Sequence, residues 1–332
     1  MSLPDPTPVL DLIEAFRRSK TMFTAVDLGV FDLLHDAPAD AATVAAALKT
    51  HPDATARLLD GCAVLGLLRK VDGVYANEPC AETYLCASSP HTMRGYIRYS
   101  DEALYPMWGR LADAVREGTP RWEQTFGLAG PIFSAFFRTD AAMREFIMGM
   151  HGFGMLTSPA VVTAFDLGRF RTLADLGGAT GHLAIAACER YPEMRGVVFD
   201  LPAVTKLVPP HDRVEAVAGD FFRDPLPPAD LYALGRILHD WSEAKIALLL
   251  GRIYEALPPG GGLLIAERLL NADGVGPVGA NMQSLNMLIV TEGKERSAAE
   301  YEALLRAAGF VDVQSRTTGT ALDAVLAMKP AR

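Results

Sequence analysis

At 332 residues the chain exceeds the size at which a single hydrophobic core usually stops growing, so two domains are expected. Half of the residues are hydrophobic and 21% are charged, which excludes a disordered, collagen-like or low-complexity chain. A formal net charge of -9 repels phosphate backbones and no local basic patch offsets it, so nucleic acid is not an expected partner.

The first residues, MSLPDPTPVLDL, show no basic region followed by an apolar stretch, and no uninterrupted apolar run of about 18 residues occurs. The expectation is a soluble, cytoplasmic protein without a membrane partner. Over 9–34, apolar residues recur at helical spacing (Leu12, Phe16, Met22, Phe23, Val26, Val30, Leu33), which predicts two helices. A short helix is expected over 43–48 and a longer one over 53–68, opened by Asp53 as its cap. RKVDGVYANEPCAETYL follows, with a VDG turn between two extended runs. Helix, turn, helix and two-stranded wing predict a winged-helix unit. A DNA-reading version needs a basic second helix, yet 53–68 holds Arg57 against Asp53 and Asp60, and residues 1–100 carry 9 Lys and Arg against 12 Asp and Glu. A ligand-sensing winged-helix regulator is therefore the weaker alternative. The apolar stretches CAVLGLL and MFTAVDLGVFDLL favour a dimerisation surface and a homodimer. Cys62, Cys80, Cys86 and Cys188 lack C-x-x-C pairing, which argues against structural zinc and for free thiols in a reducing compartment.

From 99 to 162 the pattern is helical and rich in aromatic residues and Met (Trp108, Trp122, Phe126, Phe133, Phe136, Phe137, Phe146, Met148, Met150, Phe153, Met155). Most are expected in the core, and some as the roof of a pocket for a flat apolar ligand. Beyond residue 160, short apolar runs alternate with amphipathic helices. Strands are expected at 172–177, 195–201, 214–220, 229–238 and 261–270, with a closing pair near Val311 and over 322–328. This βαβ period predicts an α/β, doubly wound parallel sheet. The resulting division is 1–100 as a winged-helix dimerisation domain, 101–160 as connecting helices that contribute to the substrate pocket, and 161–332 as the α/β ligand-binding domain.

The chemistry collects at the predicted carboxyl ends of the strands. DLGGATGHLA at 175–184 places Asp175 at a strand end, then Gly177, Gly178 and Gly181, then a helix start. Glycine there permits a tight turn and close approach of backbone N–H groups to a ligand. The spacing is not the G-x-G-x-x-G of dinucleotide binding, which disfavours an NAD-dependent dehydrogenase. Asp175 would repel a pyrophosphate but can accept from the amine of an amino-acid moiety. Asp200 ends the second strand, 19 positions past Gly181, where a ribose-binding acid lies in this topology. Asp220 ends the third, directly before Phe221 and Phe222, so a carboxylate and a ring could meet an adenine. Strand-end acids also cap helices, and these phenylalanines also suit a core. The fourth strand ends in GRILHDW. His239 there can be flanked by Glu267 from LLIAERLL and Glu295 from TEGKERS, and an imidazole held by a carboxylate on one nitrogen can take a proton with the other. Activation of a phenol needs that chemistry, and it needs no metal.

At these residues the chain resembles the S-adenosylmethionine-dependent small-molecule O-methyltransferases, most closely the acetylserotonin (hydroxyindole) O-methyltransferases. The matching strings are WGRLADAVREG, FDLP, GDFFRDPLPPADLY, RILHDW, PPGGGLLIAERLL, SLNMLIVTEGKER and LLRAAGF. The resemblance implies a Rossmann-like class I methyltransferase domain behind a winged-helix dimerisation domain. It implies that Asp175, Gly177, Gly178, Asp200, Leu201, Gly219, Asp220 and Phe221 hold S-adenosylmethionine, with Arg236 close by. It further implies His239 as base flanked by Glu267 and Glu295, with Asp240, Asn286, Met287 and Val290 toward the acceptor, a small hydroxylated aromatic. The family loop usually reads G-G-G-x-G, and its middle glycine is Ala179 here. Gly154 stands where the vertebrate acetylserotonin enzyme has a tryptophan near the cofactor, and Val290 where it has a glutamine, so the chemistry transfers better than the acceptor. The alternative reading is a family member that binds S-adenosylmethionine but methylates little or performs other chemistry on a related aromatic.

Overall fold

The computed structural model describes residues 3–130 and 139–331; Phe133, Phe136 and Phe137 lie outside them. The chain forms two compact units, Met1–Ala103 and Leu104–Arg332.

In the first unit, α1 (Thr7–Leu28) and α2 (Val30–Asp36) are separated by Gly29 in the left-handed region at φ 80°. α3 (Ala41–Leu48) is capped by Asp40, whose carboxylate accepts from Thr43 N at 2.8 Å. The helix expected over 53–68 is α4 (Pro52–Val64). Asp53 does not cap it: the chain enters through His51 with Pro52, whose fixed φ suits the first helical position, and Asp53 pairs with Arg57 at 2.7 Å inside the first turn. Gly66, at φ 73°, ends the helical path, so Leu68 already belongs to a strand. β2 (Leu68–Val71) and β3 (Val74–Asn77) are joined by Asp72 and Gly73 at φ 48° and 82°, the pair of left-handed residues that a two-residue hairpin turn requires. β1 (Ala39–Asp40) pairs with the other edge of β3. α5 (Pro79–Tyr84) and α6 (Arg94–Tyr99) complete the unit around buried Val26, Phe31, Leu34, Leu59 and Tyr75. The first half of α1 stays uncovered: Leu12, Ile13 and Phe16 are 77%, 58% and 53% exposed.

The second unit begins with α7 (Tyr105–Trp108), α8 (Leu111–Glu117), α9 (Trp122–Phe126) and the long α10 (Asp140–Thr163), capped by the Thr139 hydroxyl. By length and composition α10 could cross a membrane, and half of its apolar window is buried within the fold. Seven strands follow in the order β11-β12-β8-β7-β4-β5-β6, namely β4 (Thr172–Leu176), β5 (Arg195–Asp200), β6 (Val214–Ala218), β7 (Leu231–Gly235), β8 (Gly262–Glu267), β11 (Val311–Arg316) and β12 (Asp323–Met328). The five strands from β8 to β6 are parallel, and β4, β7 and β8 are buried on both faces, as strands covered by helices must be. The fully parallel expectation fails at the closing pair. β12 runs antiparallel to both β8 and β11, because the short segment 317–322 can only fold the chain back, whereas a parallel return needs a crossover of a dozen residues or more.

α11 (His182–Arg190) starts directly after the glycine-rich loop. α12 (Glu243–Ala256), α13 (Val278–Val290) and α14 (Ala298–Ala307) flank the remaining strands. A small parallel pair, β9 (Leu269–Leu270) with β10 (Arg296–Ser297), continues past the end of β8. Its register aligns Arg296 with Leu269, which carries Glu295 to the end of the strand that bears Glu267.

Candidate active site

Every parallel strand delivers a polar group at its carboxyl end: Asp175 on β4, Asp200 on β5, Gly219 and Asp220 after β6, Arg236 after β7, and Glu267 on β8. In an open α/β sheet that edge is where ligands bind. Asp175 is 1% exposed, and its Oδ2 has no hydrogen-bond partner among the described residues. Burial raises its pKa, and the charge of Asp200 adds to the effect, to about 7. Asp200 is tied to the loop as well as facing the crevice: Oδ2 accepts from Ala179 N at 2.8 Å and Oδ1 from Leu201 N at 2.7 Å. Burial still carries it up to about 6 against those two bonds.

The loop is packed to the limit. A Cβ on Gly178 would meet the Asp175 carboxyl at 2.7 Å, and one on Gly177 would meet Ile237 at 2.5 Å and the Phe221 ring at 3.4 Å. Phe221 therefore does border the loop, packed edge-on against Phe222 at 4.8 Å. A Cβ on Gly219 would strike the Phe199 ring at 2.3 Å. Ala179 occupies the left-handed region at φ 52°, a conformation that costs an L-residue about 1 kcal/mol and explains why glycine is the usual occupant. Asp220 is engaged locally, accepting from Phe222 N at 2.8 Å and lying 3.5 Å from Arg223. Two histidine–hydroxyl pairs fasten α10 to this loop, His151 with Thr180 and Ser158 with His182, each at 2.8 Å. Burial pushes His182 down to about 4. Its ring fills the space over Gly154, where any Cβ would lie 2.4 Å from it.

Arg236 is a second left-handed residue, at φ 57°, which turns its guanidinium back onto α10, 4.7 Å from the Phe153 ring centre. Its Nε is buried without a partner among the described residues. One turn later, His239 is 3% exposed. Its Nδ1 lies 2.7 Å from Glu295 Oε1 and 3.3 Å from Glu267 Oε2, and its Nε2 lies 3.6 Å from Asp240 Oδ1. Glu267 also caps the turn itself, since Oε1 accepts from the backbone N–H of Ile237 and Leu238 at 3.0 Å. Burial alone lowers the imidazole pKa, but the charges of Glu267, Glu295 and Asp240 outweigh it and push the value up to about 9. The structure thus brings His239, Glu267, Glu295 and Asp240 into one cluster.

Ligand atoms of His239, Glu267 and Glu295 lie within 4.8 Å of one another, a spacing a cation could bridge, but Nδ1 is already engaged by Glu295. His35, Glu82 and Cys86 form a similar group in the first unit, where burial raises the thiol to about 11 and Cys86 donates to Phe31 O.

Three residues to which the sequence assigned no individual role brace these side chains. Gly293 lies flat on the backbone of His239: a Cβ there would stand 2.1 Å from His239 O. Trp108 Nε1 donates to Asn286 Oδ1 at 3.0 Å, while Trp122 Nε1 donates to Val290 O at 2.9 Å, so two indoles hold α13, which carries Asn286, Met287 and Val290. Trp108 and Gly293 sit in strings already singled out, WGRLADAVREG and TEGKER, but neither carries a charge or a titratable group that would mark it.

Residues 108–311 match the model of the O-methyltransferase domain, and residues 10–87 that of the O-methyltransferase dimerisation domain. The chain belongs to the O-methyltransferase family. It is 44% identical to the acetylserotonin O-methyltransferase of Bos taurus over 95% of each chain, and 43% identical to that of Gallus gallus over 98% of this chain and 97% of the relative. Among solved structures, human N-acetylserotonin methyltransferase in complex with SAM superposes with a TM-score of 0.94 at 39% identity, covering 99% of each chain. The fold is that of a class I methyltransferase with an amino-terminal dimerisation domain, and the enzyme is an S-adenosylmethionine-dependent O-methyltransferase. The crevice suits a cationic cofactor of this kind. The orphaned Asp175 oxygen needs a donor, and a positive ligand offsets the burial and the Asp200 charge that raise the Asp175 pKa.

Proposed function

We propose that this methyltransferase acts on the hydroxyl of a small aromatic acceptor, phenolic or hydroxyindolic, and that His239 takes the hydroxyl proton. The supporting observation is that only Nδ1 is within hydrogen-bond reach of a carboxylate, Glu295 at 2.7 Å, while Nε2 has the Asp240 charge nearby at 3.6 Å. Both glutamates approach Nδ1, so Nδ1 keeps its proton and Nε2 offers the lone pair. Bound S-adenosylmethionine supplies a methyl group on a sulfonium, and transfer to oxygen is an in-line displacement. In this reading Asp175 receives the ammonium of the amino-acid part on its free oxygen, Asp200 meets the ribose while bracing the loop through Ala179, and Gly177, Gly178, Leu201, Gly219, Asp220, Phe221 and Arg236 shape the rest of the crevice. Asp240, Asn286, Met287 and Val290 face the acceptor. The acceptor proton moves to Nε2, and the imidazolium formed there is stabilised by Glu295, Glu267 and Asp240.

The uncovered apolar half of α1 supports a homodimer, and the four free cysteines, three of them buried, suit the reducing cytoplasm. The test of the reaction is a methyl-transfer screen over hydroxyindoles, phenols and flavonoids with mass-spectrometric location of the methyl. A methylated hydroxyl on an aromatic ring is expected. Tight S-adenosylmethionine binding with transfer only to non-aromatic or nitrogen acceptors would overturn the acceptor reading.

A further inference from the structure

The two indole N–H groups that hold α13 do different things. Trp122 bonds a backbone carbonyl and fixes the helix. Trp108 bonds a side chain, and so decides which way that side chain faces.

The two ends of an asparagine amide are nearly isosteric, so its orientation is set by its partners. An indole N–H can only donate. The Asn286 oxygen must therefore point at Trp108, and the NH2 group must point away from it. Asn286 is 8% exposed, its Nδ2 makes no hydrogen bond among the described residues, and Nδ2 is not among the buried unpaired atoms, so the NH2 is an end of this amide that a ligand can reach. An accessible NH2 fixed in one direction gives a ligand with a lone pair a ready donor, and gives one with an N–H nothing to bond.

We propose that Trp108 is a positioning residue that fixes the polarity of the acceptor subsite at Asn286, making it a pure donor. The subsite then favours an acceptor that offers an oxygen lone pair, such as an amide or ketone carbonyl, and disfavours one that presents an ammonium or N–H at the same point. This rests on the reading above that Asn286 faces the acceptor.

The experiment measures equilibrium binding by calorimetry in saturating S-adenosylhomocysteine. Two ligands share one hydroxyaromatic ring; the side group of one ends in an amide carbonyl and that of the other in a primary ammonium. The parent enzyme should prefer the carbonyl ligand. Trp108→Phe keeps the ring and removes the N–H, and should shrink that preference by roughly three- to ten-fold, the weight of one neutral hydrogen bond, with S-adenosylhomocysteine affinity unchanged. Asn286→Asp still accepts from Trp108 but has no NH2, and should reverse the preference toward the ammonium. A parent that binds both ligands equally, or a Trp108→Phe enzyme that weakens both by the same factor, overturns the proposal, because Trp108 then only packs. Methyl transfer is scored separately on the same ligands. Its absence with the binding ratios as expected counts against the acceptor reading alone, and its presence with unaltered ratios counts against Trp108 alone.

Discussion

Three carboxylates surround the His239 ring and hold its pKa near 9, so the imidazole is protonated at neutral pH in the free enzyme and must lose that proton before it can serve as the proposed base. Turnover should therefore rise with pH along a limb above the ordinary histidine range. Glu295→Gln removes one negative neighbour, which lowers the imidazole pKa, so that limb should move toward lower pH while the plateau falls less than in a base deletion. His239→Gln should lower kcat by about 10² to 10⁴-fold and leave cofactor affinity nearly unchanged. A pH–rate series on the three enzymes checks this, and a limb that stays put in Glu295→Gln would count against His239 as the titrating group. Gly293→Ala forces a methyl into the His239 carbonyl, and a displacement of about 1 Å at the base costs on the order of 10²-fold in kcat, with S-adenosylhomocysteine binding retained. Asp175 titrates near 7 when the crevice is free and must be ionised to hold an ammonium. Cofactor binding at pH 6 should thus release up to about one proton, read by calorimetry in buffers of different ionisation enthalpy, and Asp175→Asn should abolish most of that release. Asp175, Asp200, Asp220, His239 and Glu267 were legible as a set because strand periodicity places them at one edge, whereas Glu295 was read only from its loop string. Trp108 and Gly293 were not, since their roles depend on contacts across the fold, in one case over 178 positions of sequence.

Among the elements, α1 shows most directly a surface made for something outside the single chain. Stable dimer interfaces bury roughly 1,200–2,000 Å² and are apolar where permanent, and Leu12, Ile13 and Phe16 supply an apolar face that nothing in their own unit covers. We expect Leu12→Asp combined with Phe16→Asp to convert a dimer into a monomer by sedimentation velocity; persistence of the dimer would place the interface elsewhere. The apolar periodicity of 9–34 and the VDG hairpin were readable because each is local. The start of α4 was not: Asp53 has a capping residue's chemistry, but Pro52 beside it suits the first helical position and moves the cap to His51. Nor did the sequence reveal the two-residue pair β9–β10, although it brings Glu295 to Glu267, because strands that short carry no period.

Across the whole molecule the alternation of strands and helices was enough for the α/β class, and the antiparallel closing pair escaped because its turn length, not its composition, decides its direction. The buried groups also give the fold a pH signature. Asp175 and Asp200 have folded pKa values raised above their unfolded ones, so the folded form holds extra protons and loses relative stability as pH climbs from about 4 to 7. His239, raised to about 9, contributes stability below its ordinary value that is lost as pH rises through 9. His182 works oppositely: held near 4, it costs stability as pH falls below about 6.5. The ligand-free enzyme should therefore melt lower at pH 9 than at pH 6.5, by on the order of 5 °C, and S-adenosylhomocysteine should narrow the gap by giving the carboxylates a cation. A flat profile in scanning calorimetry would mean these groups are solvated. The enclosure of His239, 3% exposed under Gly293, also sets a timetable. In the proposed mechanism the methylated product lies over Nε2 when the proton has been taken, so proton departure is expected to wait on product departure. In a stopped-flow first turnover, methylated product should form before an indicator dye registers any acid, and added buffer should leave the lag intact.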